Sequence, residues 1–145
     1  MKKAIKGVSF FLFFIYLATL FYLLFFSQYR QSIEGTRTYN LIPFETINRY
    51  MRSYDGFSLT DEFVGNILAF LPFGVFLPLL FPSLRRVYSV ILGTFILSLS
   101  VECLQFYFWV GAFDVDDLLL NTVGGGLGYM FFLVLLKKVA LNRGC

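Results

Sequence analysis

The chain has 145 residues, of which 58% are hydrophobic, 21% aromatic and 14% charged, with a formal net charge of +3. One domain fits that length, but the chain is too apolar for an ordinary soluble one, so a polytopic membrane protein is the economical reading. The cations do not cluster with aromatics on a polar face that could track phosphates, which argues against nucleic acid as a partner, and the absence of histidine removes the usual neutral-pH base, the commonest metal ligand and any Ser-His-Asp triad. Cys103 and Cys145 lie far apart, form no metal-ligand spacing and read as free thiols.

Lys2, Lys3 and Lys6 precede an apolar run over about residues 8–26, which at roughly 1.5 Å per residue spans the roughly 30 Å hydrocarbon core. A basic start also suits a signal peptide, but the run is too long and no small-x-small cleavage site follows, so it is read as an anchor kept in the mature protein. Residues 27–62 are polar. Within them NLIPFETINRYMRSY sets Phe44, Ile47 and Met51 at i, i+3 and i+7, with Arg49 and Arg52 off the stripe and Pro43 suited to a first helical turn. Both a short amphipathic helix in the membrane interface and an ordinary loop fit this segment.

A second span is expected over 63–81, carrying Asn66, Pro72 and Pro78, with a kink near Pro72 because proline removes a helical hydrogen bond. Arg85 and Arg86 lie in a tight turn before a third span over about 87–110, on which Ser98, Glu102, Gln105 and Trp109 share one face. That face points inward if Glu102 is not to meet lipid. After a connection over 111–116, a fourth span covers about 117–136; Asp117 and Asn121 are i, i+4, and the face continues to a Gly124-x-x-x-Gly128 pair that permits close helix approach. The acidic first turn suits the helix N-terminus.

The expected fold is therefore all-α, a bundle of four transmembrane helices with an outer interfacial segment between the first two. Four spans place Lys2, Lys3, Lys6, Arg85, Arg86, Lys137, Lys138 and Arg143 on one side and Arg30, Arg37, Arg49 and Arg52 on the other, so both termini are cytoplasmic by the positive-inside rule. Every carboxylate, namely Glu34, Glu45, Asp55, Asp61, Glu62, Glu102, Asp114, Asp116 and Asp117, then falls on the outer side or in the outer half of the third span. A charge near the hydrocarbon core costs several kcal/mol unless paired or hydrated, which makes these residues functional candidates.

Taken together, Asn40, Pro43 and Phe44 in NLIPF, Asn66, Phe70, Pro72, Phe73 and Gly74 in NILAFLPFG, Ser98, Glu102 and Gln105 in SLSVECLQ, and Asp114, Asp116, Asp117, Asn121, Gly124 and Gly128 in DVDDLLLNTVGGGLG form a recognisable series. In order and spacing it resembles the VanZ-like family of small membrane proteins, over about residues 40–130. The resemblance implies a multi-helix protein of the bacterial plasma membrane, associated with low-level resistance to the lipoglycopeptide teicoplanin. It carries no catalytic assignment. Members often run longer at the C-terminus, whereas this chain stops nine residues after Leu136, so a further helix is expected to be missing.

Three functional readings follow. The first is an outward-facing polar pocket, made by Asn66, Glu102, Gln105, Asp114, Asp116, Asp117 and Asn121, that engages a lipoglycopeptide or a lipid-linked cell-wall intermediate at headgroup level. A second is a membrane enzyme in which desolvated Glu102 is general acid or base and Asp114, Asp116 and Asp117 hold magnesium or calcium, the cations that suit oxygen ligands without histidine. The third is a small proton-coupled transporter that needs a homo-oligomer. Beside these stands a purely structural role, in which Glu102 accepts from Asn66, Gln105 and Asn121 and the cluster fixes helix packing. The structural role is favoured for Asn66, Gln105 and Asn121 taken singly, and function for Glu102 and the aspartates; no cofactor beyond a divalent cation is expected.

Overall fold

In a computed structural model, residues 2–26, 39–52 and 63–141 are described. Arg30, Glu34, Arg37, Asp55, Asp61, Glu62, Arg143 and Cys145 lie outside them. The elements are α1 (Lys2–Phe26), β1 (Tyr39–Asn40), α2 (Glu45–Arg52), α3 (Gly65–Leu80), a 3-10 turn (Pro82–Leu84), α4 (Val87–Phe108), β2 (Phe113–Asp114) and α5 (Val115–Leu141). The chain is mostly helical, and three stretches, Lys6–Phe26, Val87–Phe108 and Val115–Lys137, are long and apolar enough to cross a membrane.

The second expected span is shorter than its apolar run. Of residues 63–81, only the 16 from Gly65 to Leu80 form the α-helix, about 24 Å at 1.5 Å per residue, which is less than the hydrocarbon core. The helix continues through both Pro72 and Pro78. One residue beyond the Leu68 carbonyl that Pro72 leaves without its helical donor, the Tyr16 hydroxyl donates to the Ala69 carbonyl at 2.8 Å, which ties α1 to that turn of α3.

Packing is tightest between α3 and α5, and glycine is the reason. A Cβ on Gly124 would strike the Ile67 carbonyl, one on Gly128 the Leu71 carbonyl, and one on Gly74 the backbone of Gly125. The spacing anticipated for Gly124 and Gly128 thus does what small residues do in membranes, letting two backbones touch. From Gly124 on Ile67 to Gly128 on Leu71 the contact advances by four residues along both helices, so α3 and α5 run parallel. On the other side of α5, Gly125 faces Thr94 and Asn121 faces Ser98, an opposite progression that makes α4 antiparallel to α5.

Against α3, α1 is also antiparallel: Phe13 packs on Phe76 and Phe73, with centroids 5.7 and 6.2 Å apart, and Phe10 meets Phe81 edge-on at 5.9 Å. One apolar cluster joins Phe13, Phe73, Leu77, Leu80, Val90, Tyr129 and Phe132, and a second joins Leu20, Leu24, Phe70 and Val101. Outside them large apolar side chains such as Phe11, Phe14, Leu92 and Met130 are exposed. Along α4 the pattern is inverted relative to a soluble helix, because the buried stripe is Val90, Thr94, Ser98, Val101, Glu102 and Gln105 while large apolar side chains such as Leu92, Phe95, Ile96 and Leu104 are exposed.

A parallel two-residue bridge, Tyr39 with Phe113 and Asn40 with Asp114, lies outside the all-α expectation. The connection expected over 111–116 accordingly contains β2, and α5 begins at Val115 rather than Asp117. The third span ends at Phe108 rather than residue 110, because Trp109 takes the left-handed conformation (φ 61°) as the C-cap. Trp109 is 46% exposed and so leaves the face it was expected to share with Ser98, Glu102 and Gln105.

Candidate functional site

The β1–β2 bridge carries the segment before α2 onto the N-terminus of α5, and three carboxylates organise the junction. Asp114 immediately precedes α5, and its Oδ1 accepts from the Asp116 amide at 2.8 Å, an N-cap on its own helix. The same side chain accepts from the Thr46 hydroxyl at 2.6 Å and from Asn40 Nδ2 at 3.1 Å. Its own backbone amide donates to Glu102 Oε2 at 3.1 Å, which ties α4 to the start of α5.

Asp116 is fully buried and acts on a helix that is not its own. Oδ1 accepts from the Phe44 amide at 2.6 Å and Oδ2 from the Ile47 amide at 3.1 Å, two of the donors that the N-terminus of α2 leaves without intrahelical partners. A carboxylate there meets the positive end of the helix dipole, which makes it a cap supplied in trans. Phe44 has φ 67°, a conformation that costs a side chain with a Cβ about 1–2 kcal/mol. The Asp116 bond fixes its amide in that geometry. Asn40 closes the preceding turn, accepting at Oδ1 from the Ile42 amide at 3.0 Å while Nδ2 also donates to Thr46 Oγ1 at 2.9 Å. Pro43 lies in this turn, ahead of the helix whose first turn it was expected to occupy.

The other predicted residues form pairs beside this junction. Asn66 Nδ2 donates to Asp117 Oδ1 at 2.7 Å, linking the first turns of α3 and α5. Asn121 Nδ2 donates to Ser98 Oγ at 2.8 Å between α5 and α4, and Gln105 Nε2 to the Leu24 carbonyl of α1 at 2.8 Å. Gln105 Oε1 and Asn121 Oδ1 are buried and find no donor among the described residues.

The side chains singled out therefore come to one end and the adjoining interior of the molecule, where Asn66 meets Asp117, Asn121 meets Ser98 and Gln105 meets α1. Pro72, Gly74, Gly124 and Gly128 shape the helices underneath. Among the described residues no three His, Cys, Asp or Glu side chains form a group that could hold a metal ion. Thr46, 5% exposed and bonded to Asp114, is a site residue missed in the sequence; its only signal was a hydroxyl on the face of FETINR away from Phe44, Ile47 and Met51.

Long apolar helices, a polar interior and close glycine contacts define an integral membrane protein with a polar cluster at one end of its helices. The model of the VanZ/LLP1 family matches residues 13–137. The chain is 31% identical over 124 residues to Protein VanZ of Enterococcus faecium, covering 81% of this chain and 69% of that protein. It belongs to the VanZ/LLP1 family. No solved structure matches it.

Proposed function

We propose that this protein contributes to low-level resistance to teicoplanin and related lipoglycopeptides, engaging either the lipidated antibiotic or a lipid-linked cell-wall intermediate at the polar cluster. In this reading α1, α3, α4 and α5 are four spans of the bacterial plasma membrane, both termini are cytoplasmic, and the cluster and residues 39–52 lie on the outer side. The basic residues distribute accordingly, with Lys6, Arg85, Arg86 and Lys137 at one end of the helices and Arg49 and Arg52 at the other.

One observation carries the site assignment. Gln105 and Asn121 each hold a buried amide oxygen with no donor among the described residues, close to the junction built by Glu102 and Asp114. Leaving a buried acceptor unmatched costs about 1–3 kcal/mol, and a clasp selected for packing alone would use a matched or apolar pair. Unmatched acceptors suit a ligand that brings donors, and a glycopeptide or a sugar-bearing lipid carries many amides and hydroxyls.

Expression in a sensitive host tests this directly. The expected result is a several-fold rise in the teicoplanin concentration that inhibits growth, lost in Glu102→Gln and Asn121→Leu proteins that reach the membrane in normal amount. An unchanged inhibitory concentration on expression of the unsubstituted protein overturns the resistance role. Retained resistance in both variants overturns the site.

A further inference from the structure

The circumference of α2 is divided three ways. At about 100° per residue, Thr46 faces the protein and is buried against Asp114. Ile47 and Met51, with Phe44 beside them, occupy a second sector about 60° wide, and Glu45, Asn48, Arg49 and Arg52 fill a third, all of them exposed. In the apolar sector Ile47 is half-buried but Phe44 and Met51 are 58 and 66% exposed, as are Leu41 and Ile42 of the preceding turn at 60 and 65%.

An isolated helix of eight residues is marginal in water, and Phe44 carries an unfavourable backbone angle. Asp116, through two backbone amides, and Asp114, through Thr46 and Asn40, keep both in place. Chain and charge are thus committed to holding apolar side chains outward. The element sits at the junction of α4 and α5, two helices long and apolar enough to cross a membrane, at the same end as exposed Tyr107, Phe108 and Trp109. Aromatic residues at a helix end favour the membrane–water interface. At that level, an apolar sector beside one carrying two arginines and one glutamate matches the phosphate layer of an anionic leaflet: apolar groups enter the upper acyl region and guanidinium groups reach the phosphates.

We propose that α2 and the turn before it dock into the headgroup layer of an anionic phospholipid bilayer, with Asp116 as the positioning residue that holds the helix at that depth. The assignment goes beyond antibiotic or cell-wall lipid engagement at the polar cluster, and neither ligand is needed to test it.

The full chain, with Cys103→Ser and Cys145→Ser, is placed in nanodiscs of phosphatidylcholine alone or mixed with phosphatidylglycerol, carrying a nitroxide at Met51→Cys or at Glu45→Cys in the polar sector. Collision with oxygen, which concentrates in lipid, is compared with collision with a water-soluble nickel chelate. The label at 51 is expected to be shielded from nickel several-fold more than the label at 45, and more strongly with phosphatidylglycerol. Asp116→Asn removes the charge and sets an amide NH2 against one backbone N–H; it is expected to abolish the difference between the two sites, while a nitroxide at Leu92→Cys on α4 remains shielded. Equal nickel access at 51 and 45 overturns the docking, as does dipolar broadening at 51, which would report a second copy covering the face. No response to phosphatidylglycerol overturns the anionic specificity. A difference that survives Asp116→Asn overturns the role of Asp116. The comparison of 51 with 45 in the unsubstituted Asp116 background holds whether or not that variant folds, and it stands apart from any outcome with teicoplanin.

Discussion

Asp116 shows how a single carboxylate can decide the conformation of a distant segment. It accepts from Phe44 and Ile47, respectively 72 and 69 positions away in the chain, and hydrogen bonds to a charged acceptor are worth about 1.5–3 kcal/mol each. Asp116→Asn is accordingly expected to destabilise the α2 junction by about 2 kcal/mol and to raise the modification rate of a cysteine placed at Thr46, read by thiol labelling. An unchanged rate would sink the trans-cap. In the sequence Asp114, Asp116 and Asp117 looked alike, three acids around a helix start. Folding separates their roles, since Asp114 caps α5, Asp116 caps α2 and Asp117 receives Asn66. Helical and loop spacing identifies such residues as unusual, but their partners come from segments tens of residues away, which no local period records.

Among the elements, α3 and α5 depend most on particular side chains, or on their lack. Gly124→Ala and Gly128→Ala each push a methyl into a main-chain carbonyl of α3, which cannot move aside without separating the helices. Each should cost about 1–3 kcal/mol or more, the range for overpacking. Gly126→Ala meets only the end of the Ile91 side chain, at 3.2 Å, and should be nearly silent. Unfolding from bicelles or by steric trapping measures the contrast, and equal effects at 124, 126 and 128 would contradict the contact. This part of the fold was legible: a four-residue glycine spacing within an apolar run has few physical uses. The length of α3 was less so. The run from 63 to 81 is apolar throughout, but apolarity says where a chain can be dehydrated, whereas helix ends depend on where backbone donors and acceptors find partners. The β1–β2 bridge left no pattern at all, since two residues are too few to show a period.

For the molecule as a whole, alternation of helix direction is set by contacts, while the proposed sidedness rests on the distribution of basic residues. If both termini face the cytoplasm, a phosphatase fused after Leu141 should be inactive and a fluorescent protein there active, with the reverse for insertion at Arg52; the opposite result would invert the molecule and place the polar cluster inside. Composition and hydropathy by themselves determined that the chain is a helical membrane protein, because the cost of exposing backbone and apolar side chains to the wrong solvent is summed over many residues and survives any detail of packing. Motif order determined the family for a similar reason, as a series of spaced residues is a linear property. Only the tertiary structure decided which donor meets which acceptor: that Glu102 holds the start of α5, that Gln105 reaches α1, and that Asp116 builds a helix from another part of the chain. A hydrogen bond is fixed within a few tenths of an ångström, and that precision exists only after the helices have packed.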